Sequence, residues 1–326
     1  MKNYEIDVAV LLIFFTRVDK TREVFETIKK ARPSKLYLYQ DGPRNENDMP
    51  NIVECRKIVK DIDWECELHT FFQEANVGCD PSEFIAQKWM FKTEDMGIIL
   101  EDDDVPSQSF FLFCKELLER YKDNPKINMI CGMNNLDYSK GIKSSYFFSR
   151  TGSIWGWASW RRVLDSWDEK YSWLDDKDKI KEMRKHFPKH FSFKRYLKTA
   201  KAHRLSGRAH YESIAGASRC LYDRLNIVPS VNLIKNIGIS TESTHSTDDI
   251  RILSRRSQRY LSKELHEIDF PLIHPESIQN TIEYERLMSP SFFERLMSPI
   301  GRFFRILRYK GLSYFFKKRK HKQINK

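Results

Sequence analysis

Through residue 132 the chain alternates short apolar runs with longer stretches in which apolar residues recur every three or four positions. VAVLLIFF (8–15) is a continuous apolar run, the pattern of a strand covered on both faces. DKTREVFETIKKA (19–31) carries Val24, Phe25 and Ile28 at helical spacing, with Asp19 as the expected N-cap. KLYLYQDG (35–42) predicts a strand closed by a glycine turn, 51–61 a helix, ELHTFF (67–72) a third strand and SEFIAQKWMF (82–91) a third helix. GIILEDD (97–103) predicts a fourth strand, stopped by Pro106. SFFLFCKELLERYK (109–122) is a strongly periodic helix, and INMICG (127–132) a fifth strand.

Strands alternating with helices at this pitch predict an α/β fold: a Rossmann-like, mostly parallel sheet flanked by helices. Such sheets bind ligands beyond the carboxyl ends of their strands. Thr16–Arg17, Asp41–Gly42, Asn76–Gly78 and Asp102–Asp103 all fall just past predicted strand ends. Four polar clusters on one rim make a candidate site.

Beyond residue 132 the pattern changes. WGWASWRR (155–162) packs three tryptophans into six residues, and Trp167 and Trp173 follow. Residues 174–210 are Lys-rich and predicted helical with a mobile loop. IVPSVNLIKNIG (227–238) reads as turn, strand and turn, TESTHSTDD (241–249) as a polar loop, and FPLIHPE (270–276) as extended. ERLMSP occurs at 285–290 and again at 294–299, too short a repeat for a solenoid.

The net charge is +11, but from Ile300 onward there are ten Lys or Arg and no acid. The first 299 residues are therefore close to neutral. In IGRFFRILRYKGLSYFFKKRK (300–320) the aromatic and aliphatic residues alternate with those cations, the composition of a helix lying in an anionic membrane surface. The near-neutral body and the lack of any RNA or DNA motif argue against nucleic acid as a partner. No apolar run reaches the roughly 18 residues of a membrane helix, and acids at Glu5 and Asp7 argue against an export signal. The six cysteines include no CxxC pair and are expected to be reduced and structural. These features predict a cytoplasmic protein, peripheral on the inner face of the cell membrane.

The most informative stretch is IILEDDDVPS (98–107), an apolar run that ends in Glu101, Asp102, Asp103 and Asp104. Two carboxylates ~5 Å apart repel by roughly 3 kcal/mol at an effective dielectric of 20, so positive charge is expected beside them. Acidic oxygens at a strand end suit a hard cation, Mg²⁺ or Mn²⁺, which completes its shell with phosphate and water. The chain has neither the loop of an EF-hand nor a Walker A sequence.

ILEDDDVPSQSFF resembles the DxD-type segment of nucleotide-sugar glycosyltransferases of the GT-A fold. The nearer resemblance is to bacterial glycosyltransferases labelled haemolytic-protein-like, themselves similar to N-acetylglucosaminyltransferase I. It spans most of residues 8–276. It includes LYQDGPR (38–44), NVGC (76–79), FFSR and IWGWASWRR (147–162), VPSVNLIKNIG (228–238) and STHS (243–246).

The resemblance implies a metal-dependent, inverting transferase that moves a sugar from a UDP-sugar to a glycan or lipid-linked acceptor. Asp103 would bind Mn²⁺ or Mg²⁺, Asp102 would reach the ribose or sugar, and Glu101 would orient the pair; Asp104 is an additional acid where relatives more often have an uncharged residue. Thr16, Arg17 and Asp41 would line the nucleoside pocket, and Asn76 and Gly78 would allow backbone approach to the donor. Asp41–Gly42–Pro43 also reads as an ordinary turn, and Gly78 as a loop glycine. His245 would complete the metal shell, or is a surface residue. Trp155 and Trp157 would form a platform for an acceptor sugar, with Gly156 leaving room beside them; core packing is the other reading, favoured for Trp160. Glu212 is the expected base and Asp223 the reserve. The implied division is a transferase domain over 1–283, with a nucleotide-sugar half (1–134) and an acceptor half (135–283), followed by a linker and basic tail (284–326). The sequence also admits two rival functions: a metal-dependent phosphohydrolase, and a catalytically idle membrane-surface adaptor.

Overall fold

The structure, a computed structural model, describes residues 5–139, 141–189, 191–238, 250–253, 258, 262–289, 301 and 303–309. Its strands are β1 (Ile6–Phe14), β2 (Pro33–Gln40), β3 (Glu67–Phe72), β4 (Met96–Glu101), β5 (Asp104–Pro106), β6 (Ile127–Cys131), β7 (Tyr146–Ser149), β8 (Trp157–Trp160), β9 (Leu225–Pro229) and β10 (Ile234–Asn236). Its helices are α1 (Val18–Ala31), α2 (Met49–Val59), α3 (Cys79–Met90), α4 (Gln108–Arg120), α5 (Arg161–Leu164), α6 (Lys177–His186), α7 (Phe193–Ser206), α8 (Tyr211–Leu221) and α9 (Ile282–Met288).

Eight strands form one sheet in the order β3-β2-β1-β4-β8-β6-β9-β7. Six of them run the same way; β8 and β7 are reversed. The α/β fold expected from the sequence, a mostly parallel sheet flanked by helices, is therefore present. β1 sits between two parallel neighbours, which accounts for its unbroken apolar run. Helix α1 turns Val24, Phe25 and Ile28 inward, and α4 buries Phe110, Phe111, Phe113, Cys114, Leu117 and Leu118. The tryptophan block becomes β8, wedged antiparallel between β4 and β6. The two expected halves thus share one sheet, with a strand from the second lying between two strands of the first.

Three local expectations need correction. Arg17, not Asp19, occupies the N-cap of α1, and Asp19 lies in the first turn, where it complements the helix dipole. Pro106 does not end the acidic element: it lies in β5, which pairs antiparallel with β10. Residues 227–229, expected as a turn, belong to β9, and the strand expected after them is reduced to Ile234–Asn236 of β10. All six cysteines are unpaired, and Cys55, Cys114, Cys131 and Cys220 are buried.

Contacts divide the chain into two units. The first comprises Met1–Ile237 and Glu264–Ser289, and holds the whole sheet. The second comprises Gly238–Lys263 and Pro290–Lys326. Within it residues 303–309 are helical, Arg305 Nε donates to the Ile252 carbonyl at 3.2 Å, and Ile306 is buried while Phe304 is exposed. His245, the second ERLMSP copy and the tail from residue 310 lie outside the described residues. Among the described residues no helix is long and apolar enough to cross a membrane.

Candidate functional site

The parallel pairing of β1, β2, β3 and β4 aligns their carboxyl ends. Ile13 is level with Glu101, Phe14 with Gln40, and Gln40 with Phe72. The segments that leave these strands therefore emerge on one rim. From β1 comes Arg17, and from β4 come Asp102, Asp103 and Asp104.

The positive charge expected beside the acids is Arg17. Its guanidinium forks across both aspartates: Nη1 lies 2.6 Å from Asp103 Oδ2, and Nη2 donates to Asp102 Oδ1. Burial opposes the charge on Arg17, but Asp102 and Asp103 outweigh it and hold the guanidinium protonated. The second oxygen of Asp102 faces the Phe15 amide at 3.3 Å. Asn236, from β10, donates to Asp103 Oδ1 and Asp104 Oδ1, each at 3.1 Å, and the Gly156 amide donates to Asp104 Oδ2 at 2.7 Å. Every oxygen of the three aspartates thus has a donor.

The four acids are not equivalent. Asp104 is wholly buried, and its bonds tie β5 to β10 and to the start of β8. Burial first, and Asp103 second, hold its carboxyl well above the usual range, so it is a structural acid. Asp102, 2 % exposed, is pushed up to about 6, chiefly by burial; Arg17 pulls it down and Asp103 pushes it up. Glu101 is held well above its usual value by burial and then by Glu83. Asp103, 8 % exposed, is the most accessible of the three aspartates.

Asp41 follows β2 and is buried. One oxygen accepts from the Gly42 and Val77 amides at 2.8 and 2.9 Å; the other accepts from Asn76 Nδ2 at 2.8 Å and the Gly78 amide at 3.0 Å. Four donors fill the capacity of one carboxylate. Asp41 therefore staples the 76–78 segment in place, and its oxygens are taken by the protein's own donors instead of facing a nucleoside. Gly42 is confined by the Ala75 backbone, 2.4 Å from where a Cβ would stand. Gly78 has φ +92° at the N-cap of α3, and a Cβ there would meet only Pro81 Cδ, at 4.0 Å. Backbone approach to a ligand is possible there. Thr16 is half-buried on the same rim.

The acceptor-side expectations change more. Trp157 is 3 % exposed in β8 and packs in the core, so it is no sugar platform. Trp160 is core as expected, its Nε1 donating to the Leu118 carbonyl at 3.0 Å. Trp155 is half-buried. Gly156 leaves room for the protein's own Ile234, not for an acceptor: with φ +57°, a Cβ there would meet Ile234 Cδ1 at 2.3 Å. We expect Gly156→Ala to lower folding stability by about 2–4 kcal/mol, from left-handed strain plus overpacking. A urea-denaturation midpoint that barely moves would show that the Ile234 packing is wrong.

Helix α8 presents the candidate base. Tyr211 is buried and the next residue, Glu212, is exposed in the first turn. Burial pushes the nearby Glu83 carboxyl up to about 8, and the charges of Glu212 and Asp80 add to that rise. Glu83 also acts on Glu101 at the end of β4, so Glu212 belongs to the same electrostatic neighbourhood as the rim. Asp223 does not. It precedes β9, a strand parallel to β6, and so lies at the opposite edge of the sheet. It is also engaged by Arg150 at 2.9 Å and His186 at 2.7 Å. The helix between the two acids spans 11 residues, about 16 Å.

The donor set on the rim is all oxygen and suits a hard dication. Among the described residues no three His, Cys, Asp or Glu side chains are arranged to hold an ion. A dication that keeps water and diphosphate oxygens needs only one or two carboxylates. Asp103 fits in kind, with Arg17 as the competitor for its oxygen.

Two residues of the site escaped the sequence reading. Asn236 lies in the NLIKNIG stretch, but only the β5–β10 pairing shows that it reaches the acids. Gln40 is buried at the end of β2, where its amide donates to the Phe15 carbonyl at 2.8 Å and its oxygen accepts from Arg56 at 2.7 Å, fixing the rim from below. Its polarity at the end of an apolar run was the available signal.

No family model matches the chain, and no curated protein matches its sequence. Among solved structures it is similar to the glycosyltransferase GlyE of Streptococcus pneumoniae TIGR4, with 8% identity over 79% of this chain and 61% of that one, at a TM-score of 0.37. It is also similar to 4-diphosphocytidyl-2C-methyl-D-erythritolsynthase of Anaerococcus prevotii DSM 20548, with 9% identity over 48% of this chain and 73% of that one, at a TM-score of 0.30. The chain spans about three fifths of the GlyE length.

Proposed function

We propose that the chain is a GT-A-type glycosyltransferase that moves a sugar from a nucleotide-sugar, a UDP-sugar in our reading, to the hydroxyl of a glycan or lipid-linked acceptor. One observation carries this reading: Arg17, Asp102 and Asp103 converge at the centre of the carboxyl-end rim, beside the loop that Asp41 holds and Gly78 opens. That rim is where open α/β sheets take nucleotides.

In this proposal the 76–78 segment and Thr16 receive the donor, and Asp102 orients its ribose or sugar. Asp103 would hold Mn²⁺ or Mg²⁺, and His245 remains a proposed second ligand. When bound, the ion supplies Lewis-acid neutralisation of the leaving diphosphate. Arg17 keeps the two aspartates aligned in its absence. Glu212 takes the proton from the acceptor hydroxyl as the new C–O bond forms and the bond to the nucleoside diphosphate breaks. A single displacement of this kind inverts the anomeric centre. The half-buried Trp155 is the remaining candidate for contact with the acceptor. The basic tail would hold the protein on an anionic membrane surface at the inner face.

The test is calorimetric titration of UDP with Mn²⁺, with and without EDTA. Asp103→Asn keeps the shape of the side chain and should weaken Mn²⁺-dependent UDP binding at least tenfold while the fold survives. Unchanged affinity would overturn the metal assignment. A panel of UDP-sugars assayed for Mn²⁺-dependent UDP release then separates a transferase from an idle adaptor, which releases none.

A further inference from the structure

Charge inside the folded body is unevenly placed. Residues 177–208 carry twelve Lys or Arg and two acids, Asp178 and Glu182. They build α6, α7 and the approach to α8. Few pairings offset them: Lys185 with Glu182 at 2.6 Å, and Arg204 with Asp175 at 2.9 Å. At the carboxyl end of α7 lies a cavity of about 380 Å³, lined by Glu169, Lys170, His203, Arg204, Gly207 and Arg208. Cations at a helix carboxyl end complement its dipole, which is reason enough for Arg204 and Arg208. It is no reason for Lys170, which enters from the segment after α5. Among the described ion pairs neither Lys170 nor Arg208 takes part.

The cavity is fastened to the rim already described. His203, in its wall, stacks on His210 with ring centres 3.8 Å apart. His210 Nδ1 lies 3.1 Å from Asp80 Oδ2, in the first turn of α3. Asp80 is two residues past Gly78, and His210 is two residues before Glu212. One wall thus touches both the proposed donor loop and the segment that carries the proposed base. His203 is kept below its ordinary pKa, first by burial and then by His210, and Arg204 is paired with Asp175, so the uncompensated positive charge comes from Lys170 and Arg208.

We infer that this cavity binds a phosphate group carried by the acceptor, and so presents the acceptor's hydroxyl to Glu212. An ammonium and guanidinium groups from two different segments suit a multiply charged oxyanion. Glu169, the one acid in the lining, suits a sugar hydroxyl beside the phosphate. The word acceptor rests on the transferase reading; the phosphate site itself rests on the cavity. The phosphate could belong to a soluble sugar phosphate or to a lipid phosphate, and two arms distinguish them.

With UDP and Mn²⁺ present in excess, glucose 6-phosphate is titrated calorimetrically into the full chain and into Lys170→Ala/Arg208→Ala. In parallel, butyl phosphate, a soluble alkyl phosphate that offers the basic tail no anionic surface, is titrated into both proteins. The wild type should bind in at least one arm and the double variant at least tenfold more weakly there, with UDP affinity unchanged. Equal binding by the variant, or no binding by the wild type in either arm, overturns the inference. Failure of the wild type to bind UDP would sink the donor reading instead, and the same phosphate titrations without UDP would still decide the cavity.

Discussion

Arg17→Met is expected to lower folding stability by about 3–5 kcal/mol at pH 8, because it strips the guanidinium from two carboxylates that stay inside the protein. Asp102 and Asp103 would lose their shared partner, and Asp102 is nearly solvent-free. The deficit should shrink as the pH falls. Asp102 already sits at about 6 in the folded wild type, above its usual value, chiefly through burial. Losing Arg17 raises it further, so the folded variant takes up a proton before the unfolded chain does. A group of this sign penalises the fold above its folded pKa and ceases to do so below the unfolded one. Urea midpoints at pH 8 and pH 5 give the check. A deficit that is the same at both, or larger at pH 5, would show that Arg17 is not the counter-ion of those acids.

Glu212→Gln is expected to reduce turnover by about 10²- to 10⁴-fold, the usual worth of a positioned general base. UDP affinity should hold, since the substitution keeps the side chain's size and leaves the aspartates untouched. Among the described residues the nearby acids are otherwise engaged: Asp80 lies 3.1 Å from His210 Nδ1. Glu83 is buried, and with its carboxyl raised to about 8 it is mostly neutral at pH 7. Asp223 is paired with Arg150 and His186 at the far edge of the sheet, so Asp223→Asn should leave turnover within about threefold, the ordinary range for a residue without a chemical role. The measurement is UDP release from whichever UDP-sugar the panel selects. Full activity in Glu212→Gln removes it as the base.

The parts legible in the sequence were those set by near neighbours in the chain. β3 falls on ELHTFF as expected, and α1 and α4 follow their apolar spacing. The rim was legible too, because parallel strands of similar length must end together. What the sequence hid depends on partners far along the chain. Asp104 looks like one more surface acid until Asn236 and Gly156 reach it, 132 and 52 positions away. β5 has three residues, one of them acidic and one a proline, so no periodicity could reveal it. Asp41 carries the side chain of a ligand-binding residue, yet its four bonds go to its own neighbours and to a loop some 36 positions on. Trp157 shows the converse: an aromatic beside a flexible glycine suggests a binding surface, but Ile234 from another strand closes over that glycine.

The ribbon that β5 makes with β10 also bears on the order in which the protein comes into being. A ribosome delivers the four acids long before it delivers Asn236, and β8 arrives between the two. Until about residue 237 has cleared the exit tunnel, the nascent chain has its acidic cluster but not the amide that pins it. Arg17 and the Phe15 amide would then hold Asp102 and Asp103, while Asp104 waits for Gly156 and Asn236. The proposed nucleotide site is thus completed only late in synthesis, when β10 meets β5.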